Sequence, residues 1–125
     1  MLVRQRSGRA VLMLNVGSAI CGFHVDSVTD IPDVGGRMWR MTYEKNGAEL
    51  VWLERDDEVK TFVIAFKTLP EDDTGVAHIL EHSVLAGSEK YPVKSPFDEM
   101  RKSSVRVFMN AMTSRDATYY PFSTR

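Results

Sequence analysis

This sequence predicts an α+β fold: a two-layer sandwich, mostly antiparallel sheet, with helices on one face. Two observations lead there. Residues 38–67 hold three short segments of alternating or β-rich character, divided by turn residues. From Gly75 the pattern becomes helical, and a second helix start follows at Ser95-Pro96. Strands first and helices after them favour helices laid on a sheet over alternating βαβ units.

Each element has its own signal. Phe23-His24-Val25-Asp26-Ser27-Val28 alternates and predicts a first strand. Residues 30–36, with Pro32, Gly35 and Gly36, read as a loop. Met38 to Glu44 puts Trp39, Met41 and Tyr43 on one face, and Asn46-Gly47 then marks a hairpin leading into a strand over 48–54. Asp56-Asp57 turns the chain. Thr61 to Lys67 is rich in β-branched and aromatic residues, which predicts a buried central strand and an antiparallel meander of these three. Thr74 is the expected N-cap of a helix over 75–85 that Gly87 stops, with Val76, Leu80 and Val84 toward the sheet. Residues 91–94 read as extended. Ser95, Pro96 and Asp98 form a capping-box start to a helix reaching about Ser104. Residues 105–112 and 118–123 read as strands joined by Ser114-Arg115-Asp116.

At 125 residues, 43% hydrophobic and 26% charged, the chain is long enough for one cored domain of ordinary globular composition. Its net charge of −1 offers no electrostatic footprint for nucleic acid. The apolar run Ala10 to Val16 is too short to span a bilayer. The only cysteine, Cys21, excludes an internal disulfide and fits a reducing compartment. Arg4, Arg6 and Arg9 precede the first acid, Asp26, so residues 1–14 read as a simple N-terminal lead, with a targeting segment as the alternative. Residues 15–125 read as the domain proper. Cytoplasmic placement is expected, with the mitochondrial matrix as the alternative.

The chemistry concentrates in His78-Ile79-Leu80-Glu81-His82. This is H-x-x-E-H, the zinc-helix motif H-E-x-x-H in reverse. On a helix, residues three and four apart share a face, so two imidazoles can grip one Zn²⁺ and Glu81 can take a proton from the water the metal activates. His78 and His82 are the expected ligands and Glu81 the general base. A catalytic zinc needs a further protein ligand. Glu89, Asp98, Glu99 and Asp116 are the later acids, and none has a spacing argument. His24 reads as an ordinary strand histidine. Asn110-Ala111 lies in a strand of small and polar residues whose backbone can pair with an extended peptide. Tyr119 and Tyr120 read as packing residues.

Residues 74–88 with 90–97, then Phe108-Met109-Asn110-Ala111-Met112-Thr113 and Tyr120-Pro121, resemble the inverted-zincin metallopeptidases of the pitrilysin and insulin-degrading type, in their presequence-protease branch. Weaker similarity reaches back to about Asn15. The chain departs from the usual pattern at Ser103-Ser104, Ser114-Arg115 and Ala86, outside the metal motif. The resemblance implies a zinc endopeptidase that degrades unfolded peptides, including cleaved targeting peptides. His78 and His82 would be metal ligands, Glu81 the base, and Asn110 and Ala111 the substrate-binding strand. It also implies a third ligand, a glutamate on a later helix beyond Arg125, and further domains outside this chain. An incomplete, N-terminal part of a pitrilysin-type domain is therefore expected. A non-catalytic peptide-binding or assembly module derived from that peptidase is the alternative. Unfolded peptides are the expected partners; nucleic acid and membrane are not.

Overall fold

The structure, a computed structural model, describes residues 2–4, 10–12, 14–102 and 106–125. The α+β class holds: the chain is mostly antiparallel sheet with two α-helices among the described residues. It divides into two compact units, Met1–Asp56 and Asp57–Arg125. No helix among the described residues is long and apolar enough to cross a membrane.

In the first unit, β1 (Leu2–Arg4) pairs with β2 (Ala10–Leu12), within the expected lead. A four-stranded antiparallel sheet follows in the order β3 (Ala19–Ile20), β4 (Phe23–Ile31), β5 (Gly36–Tyr43), β6 (Glu49–Glu54). β4 runs past the expected Val28, and the expected loop shrinks to one 3-10 turn, Pro32–Val34. Asp26 is the reason that simple alternation does not describe β4. The register steps from Val25↔Met41 to Ser27↔Arg40, so Asp26 bulges out and accepts a hydrogen bond from Thr42 Oγ1 at 2.7 Å. A bulge shifts the period by one, which lets Val25 and then Val28 serve the same core. The hairpin at Asn46-Gly47 forms with a longer loop than two residues. The Tyr43 N–H donates to the Ala48 carbonyl at 2.8 Å, and Gly47 takes the left-handed φ of 71° that the turn requires.

Val25, Trp39 and Met41 form the core, with Leu14, Ile20, Phe23, Val28, Leu50 and Trp52 packed around them. Trp39 is 2% exposed. It stacks on its cross-strand partner Trp52 at 4.9 Å, and its indole N–H donates to the Leu14 carbonyl at 3.0 Å.

The second unit is built on β10 (Ala117–Thr124). β7 (Lys60–Lys67) pairs along one side of it; β8 (Arg106–Met109) and β9 (Met112–Thr113) pair along the other. The expected meander of three is therefore corrected. β5 and β6 pair as expected, but β7 takes β10 as its partner, across the whole range Lys60↔Thr124 to Lys67↔Ala117. Nor is β7 buried: all eight of its residues are exposed, because it lies at an edge and the helix over 76–84 packs against β9 and β10, leaving the faces of β7 uncovered among the described residues. The expected single strand over 105–112 is interrupted at Asn110-Ala111, and Val105 lies outside the described residues. Pro121 explains the interruption. The Asn110 N–H donates to the Pro121 carbonyl at 3.1 Å, but proline has no N–H to return, so the ladder loses a rung there.

Replacing Trp39 by alanine is expected to lower stability by about 3–5 kcal/mol, since it removes a fully buried aromatic ring together with its stacking contact to Trp52. Guanidinium denaturation followed by circular dichroism checks this; an unchanged midpoint contradicts the assignment of the core.

Candidate metal centre

The site lies wholly in the second unit. Helix α1 (Val76–Val84) starts after Gly75, which takes the cap position in a left-handed conformation with φ 71°. Thr74, the expected N-cap, instead bonds back to Asp72 through its N–H at 3.0 Å and its hydroxyl at 2.5 Å. α1 lies against β9 and β10. The expected sheet-facing stripe is displaced by one residue. Val76 and Leu80 are 64% and 56% exposed, and Val84 is exposed as well. The inward stripe is Ala77, Glu81 and Leu85, with Glu81 only 6% exposed. Successive helical residues differ by about 100°, so moving the stripe one position on turns the apolar run outward and a carboxylate inward.

After α1 the chain loops back on itself. The Ser95 N–H donates to the Ala86 carbonyl at 3.2 Å, and Ser88 and Tyr91 exchange backbone bonds at 3.1 Å. Gly87 permits the close return: its φ is +146°, and a Cβ there would meet the Val93 carbonyl at 3.1 Å. Residues 91–94 are irregular rather than extended. α2 (Pro96–Arg101) then begins; Ser103 and Ser104 lie outside the described residues. The Ser95 hydroxyl makes no backbone cap bond but donates to Asp98 Oδ2 at 2.5 Å.

These elements enclose an open cleft of about 610 Å³ that His78, Glu81, His82, Asn110 and Ala111 all line. One helical turn brings the histidines together: their Nε2 atoms stand 3.2 Å apart. With zinc–nitrogen bonds of about 2.0–2.1 Å, that separation corresponds to an angle at the metal of about 100–105°, close to tetrahedral. The pair therefore fits a metal ion. Glu81 takes a different direction. Its Oε2 accepts a hydrogen bond from Thr113 Oγ1 at 2.9 Å, on the sheet side. Among the described residues, no three metal-ligating side chains converge. Of the later acids Asp98 lines the cleft, where it accepts from the Ser95 hydroxyl; Glu99 is engaged by Lys102 at 2.6 Å and Asp116 by the Ser114 hydroxyl at 3.4 Å. Glu89 is not among the lining residues. His24, in the first unit, faces Glu44 at 3.4 Å.

Two participants were not singled out as site residues in the sequence. Thr113 holds Glu81. Tyr120, on the same face of β10 as Thr118 and hence of its partner Thr113, is held above the ordinary tyrosine range, first by burial and second by the negative charge of Glu81. Their signal lay in the period-two face that Thr113 and Tyr120 share across the two strands, legible only once the pairing is known.

The insulinase family (peptidase family M16) matches residues 69–125, the stretch that carries this helix and cleft. A mitochondrial presequence protease from Mus musculus is 43% identical over 98% of the chain, and one from Saccharomyces cerevisiae is 45% identical over 93%. This chain belongs to the insulinase family. A third relative, the mitochondrial presequence protease of Danio rerio, is 42% identical over 98% of the chain. The chain spans 12% of the length of each of these three relatives. Insulinase-family peptidases are metalloproteases, which accords with a paired-histidine helix.

Tyr120 should lose its proton above the ordinary value of about 10. Glu81→Gln should bring it down only in part, because burial is the larger cause. A raised acid is bound to its proton more tightly in the folded chain than in the unfolded one. Its contribution is therefore complete below the ordinary tyrosine range and lost as pH rises through the folded value. NMR titration of the Tyr120 ring carbons checks both; a shift that Glu81→Gln leaves untouched contradicts the electrostatic part.

Proposed function

We propose that this chain carries part of the active centre of a zinc-dependent endopeptidase acting on unfolded peptides, cleaved targeting peptides among them. The observation that carries the proposal is the 3.2 Å approach of His78 Nε2 and His82 Nε2 beside the buried carboxylate of Glu81. His78 and His82 would hold the ion as neutral imidazoles. When bound, zinc supplies a water acidic enough to react near neutral pH and a positive charge that polarises a peptide carbonyl. Glu81 is the proton acceptor, and it returns the proton to the leaving amine.

The segment Asn110-Ala111, between β8 and β9, is the proposed seat of the substrate. Asn110 directs its backbone toward β10, so by alternation Ala111 turns its N–H and C=O to the opposite edge. No strand occupies that edge among the described residues. An extended peptide can add there by backbone pairing, indifferent to most side chains, which suits unfolded substrates. Residues 15–125 would be the N-terminal part of one metallopeptidase domain, with a third ligand and partner domains supplied from outside these residues. The relatives' names favour a mitochondrial over a cytoplasmic setting.

Calorimetric titration tests the centre. The 125-residue chain should take up one zinc, weakly for want of a third ligand. His78→Ala and His82→Ala should each abolish the uptake, while Glu81→Gln keeps it. Uptake insensitive to both histidine variants would overturn the proposal. The chain alone should show little or no peptide hydrolysis; turnover that Glu81→Gln abolishes would contradict the need for an outside ligand.

A further inference from the structure

A carboxylate beside two histidines on one helix can serve a metal in two ways, as a third ligand or as a base held off the ion. The motif's spacing allows both. We infer that Thr113 decides between them: it is a positioning residue whose hydroxyl keeps the Glu81 carboxylate on the sheet side, out of the coordination shell of an ion held by His78 and His82. The inference rests on the metal-centre reading above and adds to it the residue that assigns Glu81 its part.

The geometry is specific. Thr113 Oγ1 donates to Glu81 Oε2 at 2.9 Å across 32 positions of sequence. Glu81 is the buried residue of α1, and a buried carboxylate without a hydrogen-bond partner is strongly disfavoured. Thr113 satisfies that need from β9, and among the described residues the carboxylate it holds does not complete a three-ligand group with the histidines. With one oxygen engaged, the other remains free for the proton of an attacking water.

The hydroxyl is itself firmly placed. Thr113 stands opposite Thr118 in the β9–β10 register, and the Ser114 N–H closes the turn onto the Ala117 carbonyl at 2.8 Å. Thr118 is buried and shares a hydroxyl–hydroxyl bond with Thr68 at 3.0 Å, while the Thr68 N–H donates to the Asp116 carbonyl at 2.9 Å. Three threonines thus tie the strand that carries Oγ1 to its neighbours. A β-branched side chain on such a strand has few rotamers to leave by.

Cobalt(II) titration of the full 125-residue chain reads the coordination directly, with no need for turnover. A four-coordinate cobalt absorbs visible light much more strongly than a six-coordinate one. Thr113→Val removes the hydroxyl at constant shape. It should free Glu81 to join the ion, tightening Co²⁺ binding roughly fivefold or more and intensifying the visible bands. Adding Glu81→Gln to Thr113→Val should cancel both gains, and Thr113→Ser should behave as the parent chain. Circular dichroism establishes that each variant folds. If the valine variant does not fold, the serine variant decides alone: parent-like binding supports the inference, and tight, strongly absorbing binding overturns it. Histidine-dependent binding indifferent to Thr113→Val overturns this inference and leaves the metal centre standing. No histidine-dependent binding in any variant overturns the metal centre and this inference together.

Discussion

The strand Ala117–Thr124 is the constraint on which the second unit depends. It pairs with β7 along one side and with β8 and β9 along the other, so every strand of that unit is held through it. Its residues also set the chemistry of the cleft. Thr118 fixes the register of Thr113, Tyr120 stands near Glu81, and Pro121 withholds the N–H that would have made β8 and β9 one continuous strand. The break at Asn110-Ala111, where the substrate strand is proposed, follows from the chemistry of a proline on the strand beside it.

The two units differ in how they are stabilised. The first has an enclosed aromatic and aliphatic core around Trp39. In the second, the buried side chains that can hydrogen-bond are, among the described residues, Glu81, Thr118 and Ser123. Each has a side-chain partner: Thr113, Thr68 and Thr61 respectively. Its large apolar residues, Phe62, Val63, Ile64 and Phe66 on β7 and Ile79 and Leu80 on α1, remain exposed. Hydrogen bonds of this kind fix direction more than they add stability, because each replaces a bond to water. The second unit is thus specified at its site more closely than it is consolidated around it.

That distribution suits an acid–base residue. A carboxylate serving as a base must be near a metal without being captured by it. Helix geometry alone does not ensure this, since Glu81 and His82 are consecutive residues. A fixed donor on the sheet does, and the same donor makes the burial of a charged group tolerable.

Local features were legible in the sequence, because their causes lie within one turn or one hairpin. The i, i+4 spacing of His78 and His82, the Asn46-Gly47 turn, the alternation of Trp39 and Met41, and the helix start at Pro96 all depend on neighbours a few residues away. What the sequence by itself determined, then, is the α+β class, the helix bearing the motif, and the membership in a metallopeptidase family that the matching segments display. Tertiary structure alone decided which face of that helix turns inward, which strand β7 joins, and what holds Glu81. Each of these rests on a pairing across thirty or more residues: Thr113 with Glu81, Thr68 with Thr118, Lys60 with Thr124. Periodicity says that a face exists, but only the partner strand says what it meets. A buried glutamate in place of Leu80 becomes intelligible once a threonine hydroxyl is found waiting for it.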